Sequence, residues 1–89
     1  MLKIKTSTRF EKELKRALKR GQDEEKVKEI MKKLVCQIPL DPKHRDHKLV
    51  GEFSDCRECH ITPDWLLVYR LTDTHVSFER TGSHSDLFK

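Results

Sequence analysis

The sequence is short of cysteine, glycine, proline, aromatic residues and long apolar runs, and these shortages each remove a class of protein. Its 89 residues include three cysteines, Cys36, Cys56 and Cys59, too few and odd in number for a disulfide scaffold. The longest unbroken apolar run is Trp65 to Tyr69, far below the roughly 20 residues of a membrane-spanning helix. At the N-terminus Leu2 and Ile4 alternate with lysines, which is not the pattern of a secretory signal. The expectation is a cytoplasmic protein with no membrane partner and with its cysteines as free thiols. No internal repeat or low-complexity linker divides the chain, and this length holds one hydrophobic core, so residues 1–89 read as a single domain.

What the sequence has in abundance is charge: 38% of residues are Asp, Glu, Lys or Arg against 35% hydrophobic. Unpatterned, that balance would describe a disordered chain, but the apolar residues recur at helical and strand periods. The net charge of +4 is unevenly placed. Residues 1–43 hold 13 basic and 7 acidic side chains, a net of +6, and residues 44–89 hold 6 and 8, a net of −2. All five histidines, His44, His47, His60, His75 and His84, lie in the second half. Phosphate-attracting charge and proton-transfer groups thus come from different segments, a division that suits acid/base chemistry on a polyanion.

Leu2 and Ile4 predict a half-buried strand ended at Thr6-Ser7-Thr8. Thr8 and Glu11 predict a capping box for a helix whose stripe is Phe10, Leu14, Ala17 and Leu18, stopped by Gly21. Lys12, Lys15, Arg16, Lys19 and Arg20 cover much of the rest of this helix, as a solvated face or a phosphate-binding one. Asp23 can cap a second helix with the stripe Val27, Ile30, Met31, Leu34 and Ile38, ending before Pro39. The short loop between them predicts an antiparallel helix pair. Segments near 47–53, 56–62, 65–71 and 75–81 read as strands of an antiparallel meander, with Pro63-Asp64 and Thr72-Asp73 as turns. The fold class is α+β: one N-terminal strand, two helices and a C-terminal meander.

Two motifs compete for attention without fitting the meander. Cys56-Arg57-Glu58-Cys59-His60 spells the haem-attachment pattern C-x-x-C-H, but residues i and i+3 of a strand point to opposite faces, so both sulfurs could not meet one porphyrin edge. His44-x-x-His47 followed by Cys56-x-x-Cys59 imitates a zinc site. A zinc-binding C-x-x-C normally needs a tight turn, and no glycine lies between or just after these cysteines; small buried side chains is the plainer reading.

The third constellation is His47, His60, Asp64, Arg80 and His84. Two-residue turns at Pro63-Asp64 and Thr72-Asp73 would pair Trp65 with Arg80 and set Asp64, Trp65 and Arg80 side by side. His84, beyond Gly82, could fold back over the same end. Cleavage of RNA by its own 2′-hydroxyl needs a base, an acid for the leaving 5′-oxygen and a cation for the charge that develops on phosphate, and no metal or other cofactor. Histidine and arginine supply these roles, and Trp65 and Phe88 could stack on unpaired bases.

At these residues the sequence resembles the RelE superfamily of toxins from type II toxin-antitoxin systems, and within it the YafQ branch. The resemblance is carried by Asp46-His47-x-Leu49-x-Gly51, Arg57-x-x-His60-x-x-Pro63-Asp64-Trp65, Phe78-Glu79-Arg80-Thr81-Gly82-x-His84 and Leu87-Phe88. It implies a RelE-like microbial RNase fold and a ribosome-dependent endoribonuclease that cuts translated mRNA. It also implies an antitoxin partner of the DinJ or RelB kind, with the toxin alone a monomer and the complex a hetero-oligomer. Carried over by position, it makes His47, His60, Asp64 and His84 the acid/base group, Arg80 the phosphate-binding cation, and Trp65 and Phe88 substrate-positioning residues. The chain departs from relatives at Lys48 and at Ser54-Asp55. The alternatives are a non-catalytic basic nucleic-acid-binding module and a free-standing metal-independent RNase.

Overall fold

The elements follow the predicted order in a computed structural model, which describes residues 1–88. β1 spans Lys3–Thr6, α1 Thr8–Lys19 and α2 Glu24–Val35. A single 3-10 turn at Pro42–His44 leads to β2, His47–Lys48, and a second at Gly51–Phe53 leads to the long hairpins of β3, Arg57–Thr62, β4, Trp65–Leu71, and β5, His75–Gly82. A last turn of helix, α3, covers His84–Leu87. No helix is long and apolar enough to cross a membrane among the described residues.

Local chemistry sets the helix ends. Ser7, rather than Thr8, caps α1: its hydroxyl accepts from Phe10 N–H, while Glu11 takes the Thr6 hydroxyl instead of closing a capping box. Asp23 caps α2 as expected, accepting from Glu25 N–H. Gly21, at φ 97°, ends α1 with its own N–H on Leu18 and that of Gln22 on Ala17. α2 stops at Val35, earlier than its stripe suggested, because Gln37 takes φ 58° and the Ile38 and Gln37 N–H groups return to Lys33 and Leu34, leaving Ile38 exposed. Both are Schellman closures, one with glycine and one without.

The sheet order is β1-β5-β4-β3-β2, with β1 parallel to β5 and every other pair antiparallel. β1 is an edge strand whose four residues are all exposed, so the burial expected of it falls on Leu2 just before. One face of the sheet carries the main core: Cys59, Ile61, Trp65, Leu67, Tyr69, Val76 and Phe78 pack under Phe10 and Ala17 of α1 and Val27, Ile30 and Leu34 of α2. The opposite face has only a small cluster of Cys56, Leu66, Val68 and Leu87, bordered by Leu49, Phe53 and Phe88. That thinly covered face is where polar side chains remain accessible.

Three departures from the expected register place the site. The strand expected over 47–53 is two residues long, since Gly51 turns at φ 74° and Phe53 folds in beside Phe88. Pro63-Asp64 is a two-residue turn, with Thr62 paired to Trp65. The next connection is longer than expected: Thr72–His75 separates the paired Leu71 and Val76, with Thr72 N–H bonded to the His75 carbonyl. A bulge between the Tyr69–Phe78 and Val68–Arg80 pairs then leaves Glu79 unmatched. Arg80 therefore stands opposite Val68 and not Trp65.

Candidate active site

On the open face, the registers Glu58–Val68–Arg80 and His60–Leu66–Gly82 run across three strands. With strands about 4.8 Å apart, the β3 and β5 rows are separated by roughly 10 Å. Glu58 and His60, two residues apart on β3, share this face. Opposite Glu58 on the outer side is His47 of β2.

Glu58 is the junction of the histidines. Its Oε1 lies 3.5 Å from His47 Nε2 and 3.8 Å from His60 Nε2, within ion-pair distance of both. The carboxylate is buried, and its Oε2 has no protein hydrogen-bond partner. His47 Nδ1–H donates to the Arg45 carbonyl at 2.5 Å, so Nε2 is the nitrogen left to exchange a proton. The segment carrying His47 is held to the sheet by Asp46, whose Oδ1 accepts from the Tyr69 hydroxyl and from Arg57 Nε at 3.3 Å. Burial and the Asp46 bond together push the Tyr69 hydroxyl well above the usual phenol range, so it stays a donor. His44 donates from Nδ1 to the His60 carbonyl at 2.6 Å and closes the edge of β3 where β2 has ended.

Arg80 is not a free cation. Its Nε and Nη2 lie 3.3 and 2.6 Å from the two carboxylate oxygens of Glu13 on α1, and Glu13 also accepts the Thr81 N–H at 3.2 Å. Arg80 nonetheless lines a groove of about 320 Å³ on the open face, with Ser7, Arg9, Phe53, Val68 and Arg70 among its walls.

His84 opens α3 and is exposed, its ring 5.3 Å from that of Phe88, which in turn meets Phe53 edge-on at 6.4 Å. Ser83 and Asp86 form a capping box under it. Asp64 is exposed at the tip of the β3–β4 turn. Of the basic residues on α1, Lys12, Lys15, Arg16, Lys19 and Arg20 are all exposed, and Arg20 reaches Asp86 of α3 at 3.3 Å.

Thus the fold brings His47 and His60 together on Glu58 and sets Arg80 two strands away, with His84 and Phe88 on the adjoining helical turn. Trp65 does not join them. Its side chain, expected to stack on bases, is 1% exposed within the main core on the helix-covered face, because β4 alternates Trp65, Leu67 and Tyr69 toward the helices. Phe53 and Phe88 are the aromatic rings of the open face. The reading of the sequence passed over Glu58 and Glu13. Glu58 was visible in principle, since it shares a strand face with His60; Glu13 stood out only as a carboxylate between Phe10 and Ala17 on the buried side of α1.

The cysteines part as the strand geometry requires. Cys56 belongs to the small cluster of the open face and Cys59 to the main core, so C-x-x-C closes on neither haem nor zinc. All three cysteines are free, and burial raises the Cys59 thiol to about 12.

Comparison with known proteins places this geometry. Residues 2–89 match the family described as the bacterial toxin of type II toxin-antitoxin system, YafQ. The mRNA interferase toxin YafQ of Escherichia coli strain K12 is 42% identical over 86 residues, 96% of this chain and 94% of that one. The Escherichia coli DinJ-YafQ complex contains a chain of the same fold, at a TM-score of 0.93 and 40% identity over all of both chains. A metal-bound toxin from Helicobacter pylori matches at 0.92 and 43%, over 99% of this chain and all of that one. The chain belongs to the YafQ family of toxins of bacterial type II toxin-antitoxin systems.

Proposed function

We propose that this chain is an mRNA interferase: a cytoplasmic endoribonuclease that cuts translated mRNA on the ribosome and rests in a hetero-oligomeric complex with an antitoxin of the DinJ kind. The observation that carries the reading is the pairing of two histidines through one buried carboxylate, with an anchored arginine two strands away on the same open face. Membership of the YafQ family and the name of the Escherichia coli relative support the substrate class. The DinJ-YafQ complex supports the kind of antitoxin.

In the proposed reaction the 2′-oxygen attacks the adjacent phosphorus, the P–O5′ bond breaks, and a 2′,3′-cyclic phosphate and a free 5′-hydroxyl result. The 2′-hydroxyl proton passes to His47 or Asp64, and His84 gives a proton to the departing 5′-oxygen. His60, with Nε2 at 3.8 Å from Glu58 Oε1, shares that carboxylate oxygen with His47. Arg80 neutralises charge on the non-bridging oxygens, and Phe88 offers a ring to the exposed base. These groups need no metal for the transfer.

The exposed lysines and arginines of α1 give an electrostatic reason for docking on ribosomal RNA, and an acidic antitoxin segment would compete for the same charge. Purified mRNA and programmed ribosomes, each treated with wild type and with His84→Ala, test the whole reading. Cleavage by the wild type alone, on ribosomes alone, is expected. Equal cutting of naked mRNA would make the chain a free-standing RNase. Full activity of His84→Ala would remove the catalytic assignment, and stoichiometric metal in the purified toxin, lost together with activity when the toxin alone is dialysed against chelator before mixing, would overturn metal independence.

A further inference from the structure

We propose that Glu13 is a positioning residue for the cleavage reaction, holding the Arg80 guanidinium by one edge so that its other edge is presented to the scissile phosphate. The proposal rests on the reading of Arg80 as the phosphate-binding cation.

Glu13 is an anomaly on its helix. It lies three residues after Phe10 and four before Ala17, on the side of α1 that faces the core, and is 9% exposed. A carboxylate there is costly unless every oxygen is paired. It is paired fully: Oε1 accepts from Thr81 N–H at 3.2 Å and from Arg80 Nε at 3.3 Å, and Oε2 accepts from Arg80 Nη2 at 2.6 Å and faces Arg9 Nε at 4.0 Å.

Part of this serves the sheet. The β1 ladder ends at the Thr6–Phe78 pair, and beyond it side chains take over the outer edge of β5: the Ser7 hydroxyl donates to the Glu79 carbonyl, and Glu13 accepts from Thr81 N–H. A neutral amide would meet that need. The two-point clasp on Arg80 is what asks for a carboxylate. Nε and Nη2 form one edge of the guanidinium, and with that edge taken the Nη1–Nη2 edge remains to bind two phosphate oxygens. Arg80 lines the open-face groove with its side chain 13% exposed, and this edge is assigned to that opening.

Neighbouring cations of the groove are held less firmly. Arg70 pairs with Asp55, which is itself 63% exposed, and Arg9 is 68% exposed. Arg9 meets the same buried Glu13 only at 4.0 Å, whereas Arg80 is clasped by both of its oxygens at hydrogen-bond distance. A fixed guanidinium needs little reorganisation as charge develops on the phosphate, whereas a loose one must be ordered in each turnover. Glu13 also reduces the net charge of the pair, so its contribution should appear in the rate of the bound complex and not in affinity.

The test compares Glu13→Gln, Arg80→Ala and the double variant with wild type in single-turnover cleavage of mRNA on programmed ribosomes, with thermal melts of each. Glu13→Gln keeps an acceptor for Thr81. It is expected to lower the maximal rate by about 100-fold while leaving half-saturation within about 2-fold. In the Arg80→Ala background it should add almost nothing. Guanidinium ion at low, non-denaturing concentration should partly restore Arg80→Ala by docking on Glu13, and should fail to restore the double variant; this readout holds even if Glu13→Gln lowers the melting temperature. A slow Arg80→Ala with a wild-type rate for Glu13→Gln, additive losses in the double variant, or equal rescue with and without Glu13 would overturn the positioning role. A wild-type rate for Arg80→Ala would instead remove the reading of Arg80 itself, and the role of Glu13 with it.

Discussion

Arg20, the C-cap of the basic helix, and Asp86 in α3 meet at 3.3 Å, and this ion pair joins the surface read as an RNA-docking face to the turn that carries His84. Asp86 is also the acceptor for Ser83 N–H and donates its own N–H to the Ser83 hydroxyl. The hydrogen bonds from Ser83, backbone first, and then the charges of Arg20 and Arg16 hold its carboxyl below the usual range. A group whose pKa is lowered on folding stabilises the fold above its unfolded pKa and loses that contribution as pH falls through the folded one. Asp86→Ala should therefore loosen α3, lower stability by about 1 kcal/mol as a lost cap, and slow cleavage. Methyl NMR of Leu87 should show the wild type shifting toward the variant's position only in acid below the ordinary carboxylate range. A Leu87 signal unchanged from neutral pH down to pH 2 would contradict the latch.

Gly82 sits beneath the same latch. A Cβ there would stand 3.0 Å from Asp86 Cβ and 3.2 Å from its Oδ2, tighter than most packed contacts, so that Asp86 must give way by a few tenths of an ångström. Since Gly82 ends β5 and α3 begins two residues on, the strain falls on the seat of His84. Gly82→Ala should cost about 1–3 kcal/mol by overpacking and reduce cleavage more than binding to ribosomes. Unchanged cleavage with unchanged stability would mean that α3 moves freely over the sheet.

The thiols should react in order of their burial. Cys36 is half-buried at the end of α2, Cys56 is buried and its thiol is pushed up chiefly by desolvation, and Cys59 lies deepest with its thiol near 12. The thiolate is the reactive form, so alkylation at neutral pH should modify Cys36 first, Cys56 slowly and Cys59 only on unfolding. Mass-spectrometric mapping of early labelling decides it, and early modification of Cys59 would show that the core opens locally.

How much of this was legible in the sequence depended on the range of the interaction. The Gly21 stop, the Asp23 cap and the Pro63-Asp64 turn are set within a few residues, and each was readable. The position of Arg80 was not, because two features between Leu71 and Arg80, the Thr72–His75 turn and the unmatched Glu79, together slide β5 by three residues against β4. Trp65 is absent from the site for a separate reason: both faces of β4 are apolar, so the run from Trp65 to Tyr69 does not say which face meets the helices. Ion pairs across long separations in sequence, Glu13 with Arg80 and Arg20 with Asp86, depend on where α1 crosses the sheet and carry no local signal.

Glu58 presents the sharpest opposition between stability and function. Its carboxylate is buried, its Oε2 lacks a partner, and its Oε1 has two imidazoles at 3.5 and 3.8 Å, beyond hydrogen-bond length. A buried acceptor left unpaired costs about 1–3 kcal/mol, and a thioether of similar length would fill the space without that penalty. His47 would keep its bond to the Arg45 carbonyl, and His60 its place opposite Leu66, so the rings should not collapse into the gap. Glu58→Met is thus expected to raise the melting temperature while lowering the single-turnover cleavage rate, the trade expected where strain is kept for chemistry. Glu58→Gln separates charge from shape: it should share the loss of activity with a smaller gain in stability, since its amide nitrogen is buried as well. A melting temperature lowered in Glu58→Met would show that attraction to the two histidines outweighs the unpaired oxygen, and that the carboxylate belongs to the stability of the sheet.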